Sequence, residues 1–426
     1  MGVSLKDYEE SMLNGKYGPG MQMAMTIVVR MAEVLEATEL LAVSQAHIDG
    51  CGLMSDSGLE FAEKLAALNA RVSVPTTLNM IPLDLQNWRK QGVPENYALK
   101  ATRMANAYIQ MGCIPTWTCA PYQVYLAPHY RQQIAWGESN AIVYANSVYG
   151  ARTNRYADYL DICAAITARV PRYGLHLTEN RRGQMLIRLM DLPQALFADN
   201  SFYPVLGYLL GKLVQDRIPV IEGLTANLSS DNFKALGAAA ASSGAVGLIH
   251  IIGLTPEAST LEDAFQGSSP EETIDVHLDD LLEAKAELSH SSRRNGKLDA
   301  VILGCPHFSF MEFQTLVKLI RQIGRPLSRD VRLIILTNQI SVGLLQRADL
   351  LDEITNFGAE LVVDTCVFHS PIVSSGAQLI MTNSGKCAYY GPGELNTQVL
   401  FGDLEDCILS AVNGEITRKE DAWNGY

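Results

Sequence analysis

The chain has 426 residues, a formal net charge of −13, 48% apolar side chains and 19% charged ones. That length exceeds one ordinary hydrophobic core, so two or three domains are expected, and a charged share below the usual ~25% points to a large buried interior or a covered partner surface. The acidic balance argues against a uniform grip on nucleic acid, which needs clustered Lys and Arg, but it leaves room for local anion binding where a few basic side chains converge.

In chain order, the polar start Met1-Gly2-Val3-Ser4-Leu5-Lys6-Asp7 does not read as a secretory signal. Residues 7–13 predict a short helix stopped near Asn14-Gly15, and 21–36 a strongly apolar helix. Residues 40–43 predict a strand followed by the loop Gln45-Ala46-His47-Ile48-Asp49-Gly50. A helix over 59–68 and a strand over 72–78, ending in Asn79, come next. Residues 96–111 predict a long helix with Gly112 as its stop, and 114–128, rich in Pro, aromatic and Cys residues, an ordered loop. The second half is more regular. A strand over 219–221 precedes an Ala-rich helix opened by Ser230-Asp231-Asn232-Phe233 and closed by Ser243-Gly244, and a strand over 246–252 follows. Residues 263–272, with Gly267-Ser268-Ser269-Pro270, read as a linker. From residue 300, strands over 301–303, 333–336, 361–363 and 379–381 are interleaved with helices over 313–323 and 345–354. Apolar strands alternating with helices indicate an α/β fold with parallel sheets covered on both faces. The expected domains are 1–202, 203–295 and 296–426. The longest apolar stretches, such as 244–254, are too short to span a bilayer. A cytoplasmic protein with no membrane partner is expected, its eight cysteines being thiols or metal ligands rather than disulfides.

Cys305 and Cys366 each follow an apolar strand, where ligands bind in open α/β sheets. Cys119 stands in the loop Trp117-Thr118-Cys119-Ala120-Pro121-Tyr122 and could reach the same rim. Read by themselves, the three favour structural cysteines, buried or half-buried, since Cys is commonly buried. If they converge, three thiolates can hold an iron–sulfur cluster and leave one iron without a protein ligand; zinc on three Cys plus water is the rival occupant. Glu138, Ser139, Asn146, Ser147, Arg152 and Asn154 flank an apolar stretch and suit either a carboxylate-binding or cluster-supporting role or plain capping and internal hydrogen bonding. Thr382-Asn383-Ser384-Gly385-Lys386 follows another strand and resembles an anion-binding loop without the full P-loop pattern. His47, His176 and His307 sit in polar or Gly-adjacent contexts, as structural or supporting histidines.

Several separated segments, in order along nearly the whole chain, resemble the large subunit of the aconitase X family. They are Met12-Leu13-Asn14-Gly15, Gln22-Met23-Ala24-Met25, Ala46-His47-Ile48-Asp49-Gly50, Cys119-Ala120-Pro121-Tyr122, Trp136-Gly137-Glu138-Ser139, the run from Asn146 to Asn154, Tyr173-Gly174-Leu175-His176-Leu177, Gly304-Cys305-Pro306-His307, Asp364-Thr365-Cys366 and the loop ending in Lys386. The resemblance implies an aconitase-like fold of several α/β domains around a cluster cleft. It implies a cluster, [4Fe-4S] or smaller, held by Cys119, Cys305 and Cys366. It further implies substrate contacts from Gly50, Cys51, Gly52, Asn79, Met80, Glu138, Ser139 and Lys386, of which Glu138, Ser139 and Lys386 are the catalytic candidates. His47, Asn146, Ser147, Arg152, His176 and His307 would surround the cluster and substrate. The expected activity is removal of water from a small hydroxy acid, cis-3-hydroxy-L-proline or mevalonate 5-phosphate. A separate small swivelling subunit, expected because the chain ends at Tyr426, would supply a catalytic serine. Cys51-Gly52 and Met80 depart from the Val-Ser and Pro of the phosphomevalonate pattern, which favours the hydroxyproline substrate. A non-catalytic iron–sulfur scaffold or sensor and a zinc hydrolase are the other readings.

Overall fold

The protein is represented by a computed structural model that describes residues 2–53, 55–125, 127–156, 158–224, 228–291, 295–373, 376–419 and 423. Residue 126 of the expected 114–128 loop lies outside the described residues. The chain forms two compact units, Met1–Arg182 with Asp364–Ser370, and Gly183–Val363 with Pro371–Tyr426.

In the first unit, β1 (Leu40–Ala42), β2 (Ala46–Ile48), β3 (Thr76–Leu78), β4 (Ala135–Trp136) and β5 (Arg169–Pro171) make two small sheets. β1 pairs antiparallel with β5; β3, β2 and β4 lie side by side, all parallel, with Ala46 opposite both Thr76 and Ala135. β2 and β3 are buried throughout, as a parallel sheet requires. The helix Pro19–Val34 buries Ala24, Met25, Val28, Val29 and Ala32 in the core of this unit, beside Ile162, Ala165 and Ile166 of the helix Leu160–Thr167. The helix expected over 96–111 is Glu95–Gln110, with Gly112 at φ 95° just beyond it. Within 114–128 only a bridge from Ile114 to Thr77 and a 3₁₀ turn Pro121–Gln123 are regular.

The second unit holds two parallel sheets. β6 (Met185–Leu189), β7 (Pro219–Glu222), β8 (His250–Ile251) and β9 (Glu272–Val276) are ordered β8-β7-β6-β9. β10 (Ala300–Leu303), β11 (Arg332–Thr337), β12 (Glu360–Val363), β13 (Leu379–Thr382) and β14 (Gln398–Phe401) are ordered β12-β11-β10-β13-β14. The chain therefore leaves β10 to one side for two strands, then crosses to the other side of it. That reversal is the switch point at which doubly wound sheets bind ligands. The helix Phe310–Ile323 covers this sheet. Ser309 and Glu312 close its start as a capping box, and Gly324 at φ 62° ends it.

Several expectations need correction. The segment 45–50 is not wholly a loop, since Ala46–Ile48 is β2, the central strand of its sheet, and the strand expected over 72–78 is regular only at Thr76–Leu78. The 263–272 stretch is not a linker: Ala264 and Phe265 bury against Val220, and the Ala264 carbonyl accepts from the Gly183 amide. The helix expected over 345–354 is two, Gln339–Arg347 and Leu351–Phe357, parted where Asp349 takes φ 56°. The strand expected over 246–252 is regular only at His250–Ile251.

Candidate functional site

The first unit gathers its candidate residues at the carboxyl ends of β2, β3 and β4. β2 runs into Asp49-Gly50-Cys51, β3 into Asn79-Met80 and β4 into Gly137-Glu138-Ser139. The strand order again reverses at β2, so these three turns surround a switch point. Asp161 holds the first turn, its carboxylate accepting from the amides of Asp49 at 2.6 Å and Gly50 at 3.3 Å. Tyr108 donates to the Gly50 carbonyl at 2.9 Å. The buried Cys51 thiol lies 3.3 Å from the Asn79 carbonyl and 3.5 Å from that of Met80. The structure thus brings Gly50, Cys51, Gly52, Asn79 and Met80 together. Glu138 is buried, and its carboxylate caps the helix Ser139–Ser147, accepting from the Ala141 amide at 2.9 Å and from the Asn140 side chain. Ser139, half-buried, stands 3.3 Å from the same carboxylate.

Asp49 is a site residue that sequence reasoning missed, although it stands in the quoted segment from Ala46 to Gly50. The Asn79 amide donates to its carboxylate. Burial first, then the charges of Glu138, Asp158 and Asp161, push its carboxyl up to about 7. Burial likewise pushes Asp161 up to about 6. No spacing rule marks these aspartates; folding alone concentrates them.

Cys119 and Cys366 belong to this unit, both on segments tied to the end of β3. The Thr118 amide donates to the Leu78 carbonyl at 3.2 Å, and the Ile81 amide to the Asp364 carbonyl at 2.9 Å. Asn140 donates to the Cys119 carbonyl at 2.8 Å. Tyr97 donates to the His369 carbonyl; burial, then the Cys366 charge, pushes its phenol up to about 12. Both thiols are half-buried.

Of the other candidates in this unit, His47 is fully buried, with Nδ1 at 2.8 Å from the Thr77 hydroxyl. Burial lowers it to about 3. His176 is lowered to about 3 by burial and by Arg181 and Arg152, and it meets Tyr156 and Gln133. Both rings are neutral at physiological pH. Asn146 exchanges bonds with Thr153 at 3.0 and 3.1 Å and accepts from the buried Arg181 at 3.0 Å, while Arg152 donates to the His176 carbonyl at 3.2 Å. Ser147 is buried beside them. This block is knit internally by these hydrogen bonds.

In the second unit, Cys305 follows β10 and Asn383-Ser384-Gly385-Lys386 follows β13, on either side of the five-stranded sheet's switch point. A cavity of about 420 Å³ opens there, lined by Cys305, Asn383, Ser384, Asp231 and Lys234 among others. Gly304 holds φ 88° and lies so close to β11 that a Cβ would stand 2.1 Å from the Leu336 carbonyl oxygen. The Ser384 hydroxyl donates to the Cys305 carbonyl and accepts from the Cys387 amide, capping the helix Gly385–Glu394. Lys386 is half-buried on the first turn of that helix, where an anion is favoured. His307 is buried two residues past Cys305.

The remaining cysteines are core residues. Cys51, Cys113, Cys163, Cys387 and Cys407 are all buried. Burial, reinforced by nearby carboxylates, pushes the thiols of Cys51, Cys113, Cys163 and Cys407 up, which keeps them protonated. Among the described residues, no group of three or more His, Cys, Asp or Glu side chains is disposed to hold a metal ion, and no helix is long and apolar enough to cross a membrane.

Known proteins share this architecture and sequence. Profiles of the aconitase X first, second and third domains match residues 2–179, 183–286 and 298–413. The chain is 43% identical over 425 residues to a cis-3-hydroxy-L-proline dehydratase of Pseudomonas aeruginosa, covering 99% of this chain and 72% of that protein. It is 35% identical over 404 residues to the phosphomevalonate dehydratase large subunit of Methanocaldococcus jannaschii, covering 94% of this chain and 98% of that one. The crystal structure of Thermococcus kodakaraensis aconitase X in its holo-form superposes with a TM-score of 0.83 at 30% identity, over 96% of this chain and 100% of that one. The chain belongs to the aconitase X family, and the relatives it matches are dehydratases, that is, hydro-lyases.

Proposed function

We propose that the chain is the cluster-bearing subunit of a dehydratase that removes water from cis-3-hydroxy-L-proline. The observation that carries the choice of substrate is the packing of Cys51, Gly52 and Met80. The Cys51 thiol rests on the Met80 carbonyl, and a Cβ on Gly52 would stand 3.4 Å from the Met80 methyl. The three departures from the phosphomevalonate pattern therefore form one coupled patch of the loop pair proposed to line the substrate. Identity agrees: 43% and 41% to two hydroxyproline dehydratases, against 30–36% to five phosphomevalonate dehydratase large subunits.

Cys119, Cys305 and Cys366 are proposed to hold an iron–sulfur cluster. What supports this choice among the eight thiols is exposure: Cys119 and Cys366 are half-buried, Cys305 lines a cavity, and the other five are buried. When bound, such a cluster with one iron free of protein ligands supplies a Lewis acid for the departing hydroxyl. Lys386 supplies a positive charge for the substrate. Glu138 and Ser139 orient it, and the loop from Gly50 to Gly52 with Asn79 and Met80 shapes the pocket. A small partner chain supplies the serine base that takes the α proton. One fact favours a partner: five relatives are named large subunits.

An anaerobic assay of the chain with its small partner, given cis-3-hydroxy-L-proline and mevalonate 5-phosphate side by side, tests this. Expected is a kcat/KM at least about tenfold higher for the hydroxyproline, lost in Cys305→Ser with the fold intact. The reverse ranking installs the phosphomevalonate reading, and turnover of neither installs a non-catalytic scaffold.

A further inference from the structure

Lys234 is among the most deeply buried charged side chains in the second unit, at 3% exposure, one turn into the helix Ser230–Ser243. Its ammonium has three protons and three acceptors: the Asp231 carboxylate at 3.0 Å, the Glu312 carboxylate, and the His307 carbonyl at 3.2 Å. The two carboxylates are themselves fixed. Asp231 accepts from the Ser309 hydroxyl at 2.8 Å, and Glu312 from the Ser309 amide at 2.7 Å. Burial alone would lower the Lys234 pKa; Glu312 and Asp231 outweigh it, so the ammonium stays charged. Stability is a weak reason for such a group. Taking the ammonium out of water, with both carboxylates half-buried around it, offsets much of their attraction, and apolar side chains of similar size commonly serve as well. What the group does hold is a turn. The Cys305–His307 turn is pinned upstream by Gly304 against β11, at the Cys305 carbonyl by Ser384, and at Phe308, whose amide donates a hydrogen bond of 2.8 Å to the Leu336 carbonyl. Lys234 adds a charged, geometrically saturated anchor between the last two points, on the wall of the cavity that Cys305 also lines.

We propose that Lys234 is the positioning residue of the Cys305 turn: held between Asp231 and Glu312, it donates to the His307 carbonyl and so fixes where the Cys305 sulfur presents itself at the cavity. This rests on the reading of Cys305 as a cluster ligand.

The test uses the full chain with Lys234→Met/Glu312→Gln, which removes the anchor and leaves the net charge unchanged. Two readouts are taken. One is the alkylation rate of Cys305 in metal-free protein, followed by peptide mass spectrometry with Cys119 and Cys366 as internal references. The other is the iron content and visible circular dichroism of anaerobically reconstituted protein. The expected result is a Cys305 rate altered by at least about threefold, the reference thiols within about 1.5-fold, and a changed cluster dichroism with native far-ultraviolet spectra. A folded variant with unchanged Cys305 rate and cluster dichroism overturns the proposal, even if its melting temperature falls. Should the double variant not fold, Lys234→Arg decides on the same readouts, because its planar fork cannot reproduce the three directions of an ammonium. Wild type that takes up no iron refutes the cluster reading instead, and the alkylation comparison still decides the positioning role.

Discussion

Asp49 is where local chemistry and folding conflict most. Its carboxyl shares a small volume with Glu138, Asp158 and Asp161, against which the Asn79 amide favours its charge. The folded chain therefore keeps a proton that the unfolded chain releases. Stability from this group is fully present below its ordinary 3.8 and is lost as pH rises through about 7. Asp49→Asn keeps an acceptor for Asn79 and removes the charge. It is expected to stabilise the protein by about 1–2 kcal/mol at pH 8, a figure discounted because the group is half-buried, and by little at pH 4. Urea unfolding at both pH values checks this; an equal effect at the two would rule it out. The sequence displays Asp49 plainly, but neither its burial nor its three acidic neighbours, which come from positions 138, 158 and 161.

At the scale of elements, what decides the site is where strands end. Gly304 converts the end of β10 into the Cys305 turn with a backbone conformation that other residues rarely adopt, in contact with β11. Gly304→Ala is expected to cost about 2–4 kcal/mol, from strained φ and the clash with the Leu336 carbonyl. A shift of the denaturant midpoint measures it, and an alanine variant as stable as wild type would show that the turn is not held this tightly. A clear apolar stripe makes an element legible: the helix expected over 313–323 is present, although its Ser309–Glu312 capping box opens it three residues earlier. The break at Asp349 was not legible, because no Gly or Pro announces it. The polar stretch 263–272 misled for the opposite reason, since Ala264 and Phe265 supply a small core among turn-forming neighbours.

At the scale of the molecule, each unit has a hydrophobic core of its own. One is built around Met25, Val28, Ile48 and Ile162, the other around Val301, Leu303, Leu333 and Ile335. Separate cores predict unfolding that is not two-state: the van't Hoff enthalpy should fall below the calorimetric enthalpy in a thermal scan, and a ratio of one would show the units melting together. Cys119 and Cys366 belong to the first unit and Cys305 to the second, as do Glu138 and Lys386 respectively.

The sequence by itself determined the α/β class, because buried parallel strands must be apolar along their length and the helices between them carry their own caps. It also determined the family, because ten short segments in fixed order are far more specific than any one. Only the tertiary structure decided which candidates stand together. Strand order is set by long-range pairing, and that order places the turns after β2, β3 and β4 at one switch point and those after β10 and β13 at another. The same pairing buries Lys234 and Asp49 among charged partners that neighbour them only in space, which no local pattern of residues encodes.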